Sequence, residues 1–335
     1  MARKLRRRLG VTAAFVVVLG AVLAYAVRPP FENTRMRNSL VARLGTPQDF
    51  EWTPAHLPQG FILDTGTIPA PFVQAAQKAH AASRPEDPSW STALALGRHL
   101  ASGPGRGSGI KKSTLAAYRI IMARKAGYCA DFTQVFNGLS RAAGLAVREW
   151  GMSFDGFGGN GHAFNEIYDS TLGKWVFIDS YMSFYVEDPV TNIPLSAMEF
   201  RERLRNGRDT DQLRIVPIDR KRFAFRSAAQ AIAYYGKGAD QMYLWFGNNV
   251  FSYDQQPLVA FLGRYSRALE QATAIILGVH PSMMIIPSRT NASMVNWLFK
   301  KRDLFFAGTV LFLLLAVAFI VQVIRYFRLL RNLTR

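Results

Sequence analysis

Gly127-Tyr128-Cys129-Ala130-Asp131-Phe132 sets a glycine ahead of an apolar repeat at Phe132, Val135, Phe136 and Leu139. The i, i+3, i+4, i+7 spacing predicts a helix that opens at Cys129, and Gly144 is placed to close it. Cys129 is the single cysteine among 335 residues. At a helix N-terminus the dipole and the free N–H groups favour the thiolate, the form that attacks carbon or binds metal. A lone cysteine is more often a small buried apolar residue. Its meaning therefore depends on the compartment and on its neighbours.

Both ends of the chain carry long uncharged runs. Val11 to Val27 follows Arg3, Lys4, Arg6, Arg7 and Arg8, while Leu304 to Ile324 precedes Arg325, Arg328, Arg331 and Arg335. The second run is enough helix to cross a hydrocarbon core of about 30 Å. Ends that are basic and free of acids read as cytoplasmic, although Lys300, Lys301 and Arg302 weaken the contrast at the second run. The expectation is an inner (plasma) membrane protein with two spans, both termini cytoplasmic and the main domain periplasmic or otherwise extracytoplasmic. Ala24-Tyr25-Ala26 also has the small-x-small form of a processing site, and cleavage there exports the same region. In an oxidising compartment an odd cysteine is intermolecular or a free reactive thiol.

The net charge of +18 is concentrated at the ends, because all 23 acidic residues lie between the two runs. The moderate basic excess left in the middle suits anionic lipid head groups or acidic envelope polymers. There is no alternation of aromatic and basic residues of the nucleic-acid-binding kind, so no nucleic-acid partner is expected. One cysteine and five scattered histidines give no metal-ligand spacing, and no metal or cofactor is expected.

Residues 1–10 form a basic stub, 11–27 the first membrane helix or signal peptide, and 28–85 an extended lead-in with short strands. Residues 86–185 hold the chemistry, 186–303 form a mainly helical extension, 304–324 the second membrane helix and 325–335 a basic tail. Within the core, Pro88 opens a helix with apolar Trp90, Leu94, Leu96 and Leu100 that ends near Gly103. Gly103 to Gly109 lacks the Lys-Ser/Thr ending of a phosphate loop and reads as a mobile linker. A helix over 113–125 precedes the cysteine helix. Strands are expected at 145–150, 162–168 and 175–179, with a glycine-rich loop at 155–161. In the extension, 194–206 is an amphipathic helix, and 227–251 is dense in aromatic residues, including Tyr234 and Tyr235, expected to pack on the core or a membrane surface.

A tight hairpin with its turn at Asp169 to Leu172 sets Tyr168 opposite Gly173 and His162 opposite Asp179. Cross-strand partners are close enough for the carboxylate to hold one imidazole nitrogen and leave the other for Cys129. Nucleophile, base and orienting acid are then together.

Three blocks resemble the core of the transglutaminase-like superfamily in order and spacing. They are Gly127-Tyr128-Cys129-Ala130-Asp131-Phe132 continuing to Ser140-Arg141-Ala142-Ala143-Gly144-Leu145-Ala146-Val147-Arg148, then Gly161-His162-Ala163-Phe164-Asn165-Glu166-Ile167-Tyr168, then Trp175-Val176-Phe177-Ile178-Asp179. The resemblance covers about residues 86–185 and implies a papain-like α+β fold, the cysteine helix packed on an antiparallel sheet. It implies Cys129 as nucleophile, His162 as general base and acid, and Asp179 as orienting residue, in a membrane-anchored bacterial member. Phe164 stands where the family often has Trp, and Ser180 where Pro commonly follows the Asp. No oxyanion donor is assigned; Trp90 is a candidate that no local motif marks. Glu166 and Tyr168 are expected to serve the strand and Trp175 the core. The function expected is a cysteine-dependent hydrolase or acyltransferase, an amidase, peptidase or acyl-transfer enzyme on cell-envelope protein or polysaccharide. The alternative is a non-catalytic binding or assembly subunit of a polysaccharide-synthesis or secretion complex in the membrane.

Overall fold

The computed structural model of the chain describes residues 2–28, 31–207 and 212–333. They fall into two units, one drawn from Met1–Leu40 and Ser293–Arg335, the other Val41–Ala292.

The first unit is helical, with α1 (Ala2–Ala26), α2 (Phe31–Val41) and the 42-residue α9 (Ala292–Leu333). The segments Arg3–Ala26 and Ala292–Asn332 are long and apolar enough to cross a membrane. Phe15, Val17, Val18, Leu313, Leu314 and Val317 each expose more than half of their surface. Water penalises such an array and acyl chains do not, which fits a membrane protein. The two helices meet through small residues, Gly20 against the Phe312 ring and Gly308 against Leu23. Thr12 Oγ1 donates to Gln322 Oε1 at 3.3 Å. At 1.5 Å per residue α9 is about 63 Å long, so the expected span 304–324 is its middle section. Lys301, one of the basic residues that flank it, pairs with Glu32.

The second unit is an α+β fold on a six-stranded sheet of order β1-β8-β7-β2-β3-β4. Its strands are β1 (Ala42–Leu44), β2 (Val147–Ser153), β3 (Gly161–Asp169), β4 (Lys174–Ile178), β7 (Met242–Trp245) and β8 (Met283–Ile285). Helices α3 (Ala70–Ala81), α4 (Pro88–Ala101), α5 (Thr114–Ala123) and α6 (Cys129–Ala142) build one core with one face of the sheet. A second core holds the other face, with α7 (Ala197–Asn206), α8 (Ala228–Gly236) and the separate two-stranded antiparallel sheet of β5 (Phe184–Glu187) and β6 (Arg214–Pro217). Strand alternation sorts the residues: Val147, Ile167, Val176 and Ile178 enter the first core, and Trp150, Met152, Phe164 and Phe177 the second. Both faces are buried, so β2 and β3 read as almost continuous buried runs.

Several segments differ from expectation. The lead-in, expected to be extended, contains α2 and α3. The buried positions of α3 are Phe72, Ala75, Ala76 and Ala79, a regular helical stripe, but alanine is too weakly apolar to make that stripe stand out in the sequence. The mainly helical extension also supplies β7 and β8 to the main sheet, where β8 pairs in parallel with β1 across most of the chain. The linker Gly103 to Gly109 is held in place. Arg222 donates from Nε to Ala101 O at 2.8 Å, from Nη1 to Pro104 O at 3.2 Å and from Nη2 to Gly103 O. Its glycines permit close approach: a Cβ on Gly105 would lie 2.7 Å from Arg222 Nη1, and one on Gly107 would lie 2.4 Å from Lys125 O.

Candidate active site

Cys129 is the first residue of α6 and is partly buried. Gly127 makes the turn before it with φ at +102°, and a Cβ there would come within 3.0 Å of the Phe132 ring. Gly127 N donates to Ser108 O at 2.8 Å, which fastens the glycine-rich loop beside the helix start. Asp131 Oδ2 accepts from Tyr128 N at 2.8 Å and from Ile110 N at 3.2 Å. This fixes the entry to the helix, whose first-turn N–H groups have no acceptor within the helix itself.

The hairpin register differs by two residues from the expected one. Asp169 pairs with Lys174 and Asn165 with Ile178, so the turn is Ser170 to Gly173. His162 and Asp179 are therefore diagonal rather than opposite. A slip of two keeps every side chain on its face, whereas a slip of one would have separated them. Diagonal neighbours remain within reach of a long side chain, and His162 Nε2 lies 2.5 Å from Asp179 Oδ2. That leaves Nδ1 for Cys129, with which His162 shares a hydrogen bond. The structure thus brings Cys129, His162 and Asp179 together.

Burial alone would push the His162 imidazole down, but the Asp179 carboxylate and the Cys129 sulfur outweigh it and raise it to about 10. The carboxylate on one side of the ring and the sulfur on the other thus favour its protonated form. Asp179 is fully buried and its oxygens are all engaged: Oδ1 accepts from Met182 N at 2.7 Å, and Oδ2 also accepts the Tyr235 hydroxyl. Burial and then Asp179 hold the Tyr235 phenol well above its ordinary value, so it stays a donor. Around the imidazole stand Tyr234 and Tyr235 edge-on with centroids at 5.7 Å, Tyr181 at 6.0 Å and Phe164 stacked at 6.3 Å. Phe164, the departure from the usual Trp, thus still supplies an aromatic wall.

Tyr235 is the residue that sequence reasoning missed. The aromatic density of 227–251 signals packing on the core, but only the tertiary docking of α8 reveals that one phenol reaches the buried carboxylate. Trp90, the upstream candidate for an oxyanion donor, lies in the first core with its ring against Tyr185 at 5.0 Å. Glu166 accepts from Arg148 Nε at 2.6 Å, from Trp150 Nε1 and from Ala197 N at 2.6 Å, tying β2 and β3 to the start of α7. The Arg148 guanidinium lies over the ring of Trp175, 4.3 Å from its centroid, and Trp175 meets Tyr168 edge-on at 5.4 Å. Glu166, Tyr168 and Trp175 thus have structural partners of their own.

A cavity of about 270 Å³ lined by Trp52, Phe61, Arg141, Gly144 and Trp175 sits by the C-terminal end of α6, the end remote from Cys129. Among the described residues no three His, Cys, Asp or Glu side chains form a group able to hold a metal. The Cys129 end sets a thiol beside an imidazole that is bonded to a buried carboxylate, at the start of a helix, an arrangement suited to acyl chemistry. No curated protein and no solved structure matches the chain. Residues 78–180, about a third of the chain and including Cys129, His162 and Asp179, match the model of the transglutaminase-like superfamily, so the protein carries a transglutaminase-like domain.

Proposed function

We propose that the protein is a membrane-anchored thiol enzyme acting on acyl or amide groups of cell-envelope material outside the cytoplasm. The observation that carries this reading is the meeting of the chain's single thiol, at the start of α6, with an imidazole whose other nitrogen is held by a buried carboxylate. The Cys129 thiolate attacks the carbonyl carbon, and the first-turn N–H groups of α6 receive the developing oxyanion. Collapse expels the amine, which takes its proton from the His162 imidazolium and leaves a thioester. Water, an amine or a hydroxyl then gives its proton to neutral His162 as it attacks; the C–S bond breaks and the thiolate–imidazolium pair is restored. Water gives amidase or peptidase activity, and an amine or hydroxyl gives acyl transfer. Asp179 fixes the ring tautomer, with Tyr235 and Met182 holding the carboxylate. The basic ends favour a topology with both termini in the cytoplasm and the main domain outside.

The length of chain beyond the matched segment, with its two membrane helices, favours a second reading as an assembly subunit of an envelope complex. Complementation separates the two. A strain carrying Cys129→Ser at normal protein levels should behave like the deletion strain if the thiol does chemistry. Full rescue by that variant would favour assembly and contradict the enzyme.

A further inference from the structure

Arg106 sits on the clamped glycine-rich loop whose neighbour Ser108 is bonded to Gly127, two residues before the thiol. Its guanidinium lies over the Tyr181 ring at 5.3 Å, and Tyr181 in turn stands beside the His162 imidazole with centroids 6.0 Å apart. Tyr181 is near enough to both Cys129 and Arg106 to feel each of them. Among the described residues Arg106 has no carboxylate partner. Its Nη2 donates to Arg222 O and its Nη1 points at Met182 Sδ, 3.9 Å away, a weak acceptor. Asp179 is near enough to be felt, but its oxygens are committed to His162, Tyr235 and Met182. Arg222 repels Arg106, and burial disfavours its charge.

The guanidinium is partly buried and its remaining N–H groups are open to water, which an anion can replace. The planar fork of arginine matches a carboxylate through two parallel hydrogen bonds. Pinning of the loop by Arg222 means the fork is held before any ligand arrives, so little ordering entropy is lost on binding. We propose that Arg106 is a substrate-recognition residue, and that the acyl donor carries a carboxylate close to the carbonyl that Cys129 attacks. Neutral amides are then poor substrates, and acidic peptides or carboxylated envelope polymers are the favoured class. This inference rests on the thiol-enzyme reading above.

The single cysteine makes the test unambiguous by intact mass. Second-order rates are measured for the full chain in detergent with two reagents of one size, anionic iodoacetate and neutral iodoacetamide. Arg106→Gln should slow iodoacetate about tenfold, the worth of one charge-assisted contact, and move iodoacetamide less than about twofold. Arg106→Lys, which keeps the charge without the fork, should fall between. Equal slowing of both reagents by Arg106→Gln, or no change in either, overturns the inference. If His162→Ala slows iodoacetamide but the Arg106 variants leave the ratio unchanged, only this inference fails. If His162→Ala has no effect on either reagent, the thiol-enzyme reading fails and this inference with it.

Discussion

At the residue scale, the state of His162 follows from a contest of opposed effects. Burial disfavours its charge, Asp179 and then Cys129 favour it, and the neighbours win, leaving the imidazole raised to about 10. A folded-state value above the ordinary 6.5 means the charged ring stabilises the fold fully below about pH 6.5 and loses that contribution as the pH climbs through about 10. The melting temperature of the wild type in detergent should therefore fall more between pH 7 and 10 than that of His162→Gln; equal falls would show that the ring does not carry its proton into that range. Asp179 depends on its donors in the same way. Tyr235→Phe removes only the hydroxyl that Asp179 accepts, and should cost about 1–3 kcal/mol in denaturant unfolding, the range for a hydrogen bond to a buried charge. A cost near zero would mean that the phenol does not hold the carboxylate.

At the scale of elements, the site is made where α6, β3, β4, α8 and the glycine-rich loop meet. The pieces legible in the sequence are those whose signal is local. Phe132, Val135, Phe136 and Leu139 mark one face of α6, and all four are buried as that spacing requires. The His162 to Asp179 pairing survived a register shifted by two because strand alternation, not the turn, decides which side chains share a face. The Arg222 clamp and the Tyr235 contact were illegible because each joins segments more than 50 residues apart through tertiary packing alone. Glycine density at 103–109 likewise carries two meanings, freedom or close approach, and here close approach wins. Loss of the clamp should restore the freedom. Arg222→Gln should let trypsin cut after Arg106 roughly tenfold faster, since several hydrogen bonds to loop carbonyls are lost at once. An unchanged cutting rate would mean that the backbone bonds to Gly127 hold the loop unaided.

At the scale of the molecule, two helices fit for a membrane bracket a unit with two cores on one sheet. The long-range pairing of β1 with β8 lets residues 42–44 and 283–285 close the sheet, which no local pattern announces. If the main domain lies outside the cytoplasm, a membrane-impermeant methanethiosulfonate should modify Cys129 in right-side-out vesicles and leave it untouched in sealed inverted ones; the opposite pattern would reverse the topology. The central claim is that the single thiol is activated by His162. Its most direct test is the rate at which iodoacetamide alkylates Cys129 near pH 7 in the wild type and in His162→Ala. Loss of the imidazolium partner should slow alkylation by about tenfold or more, since an adjacent cation is what favours the thiolate. Equal rates in the two proteins would contradict the account.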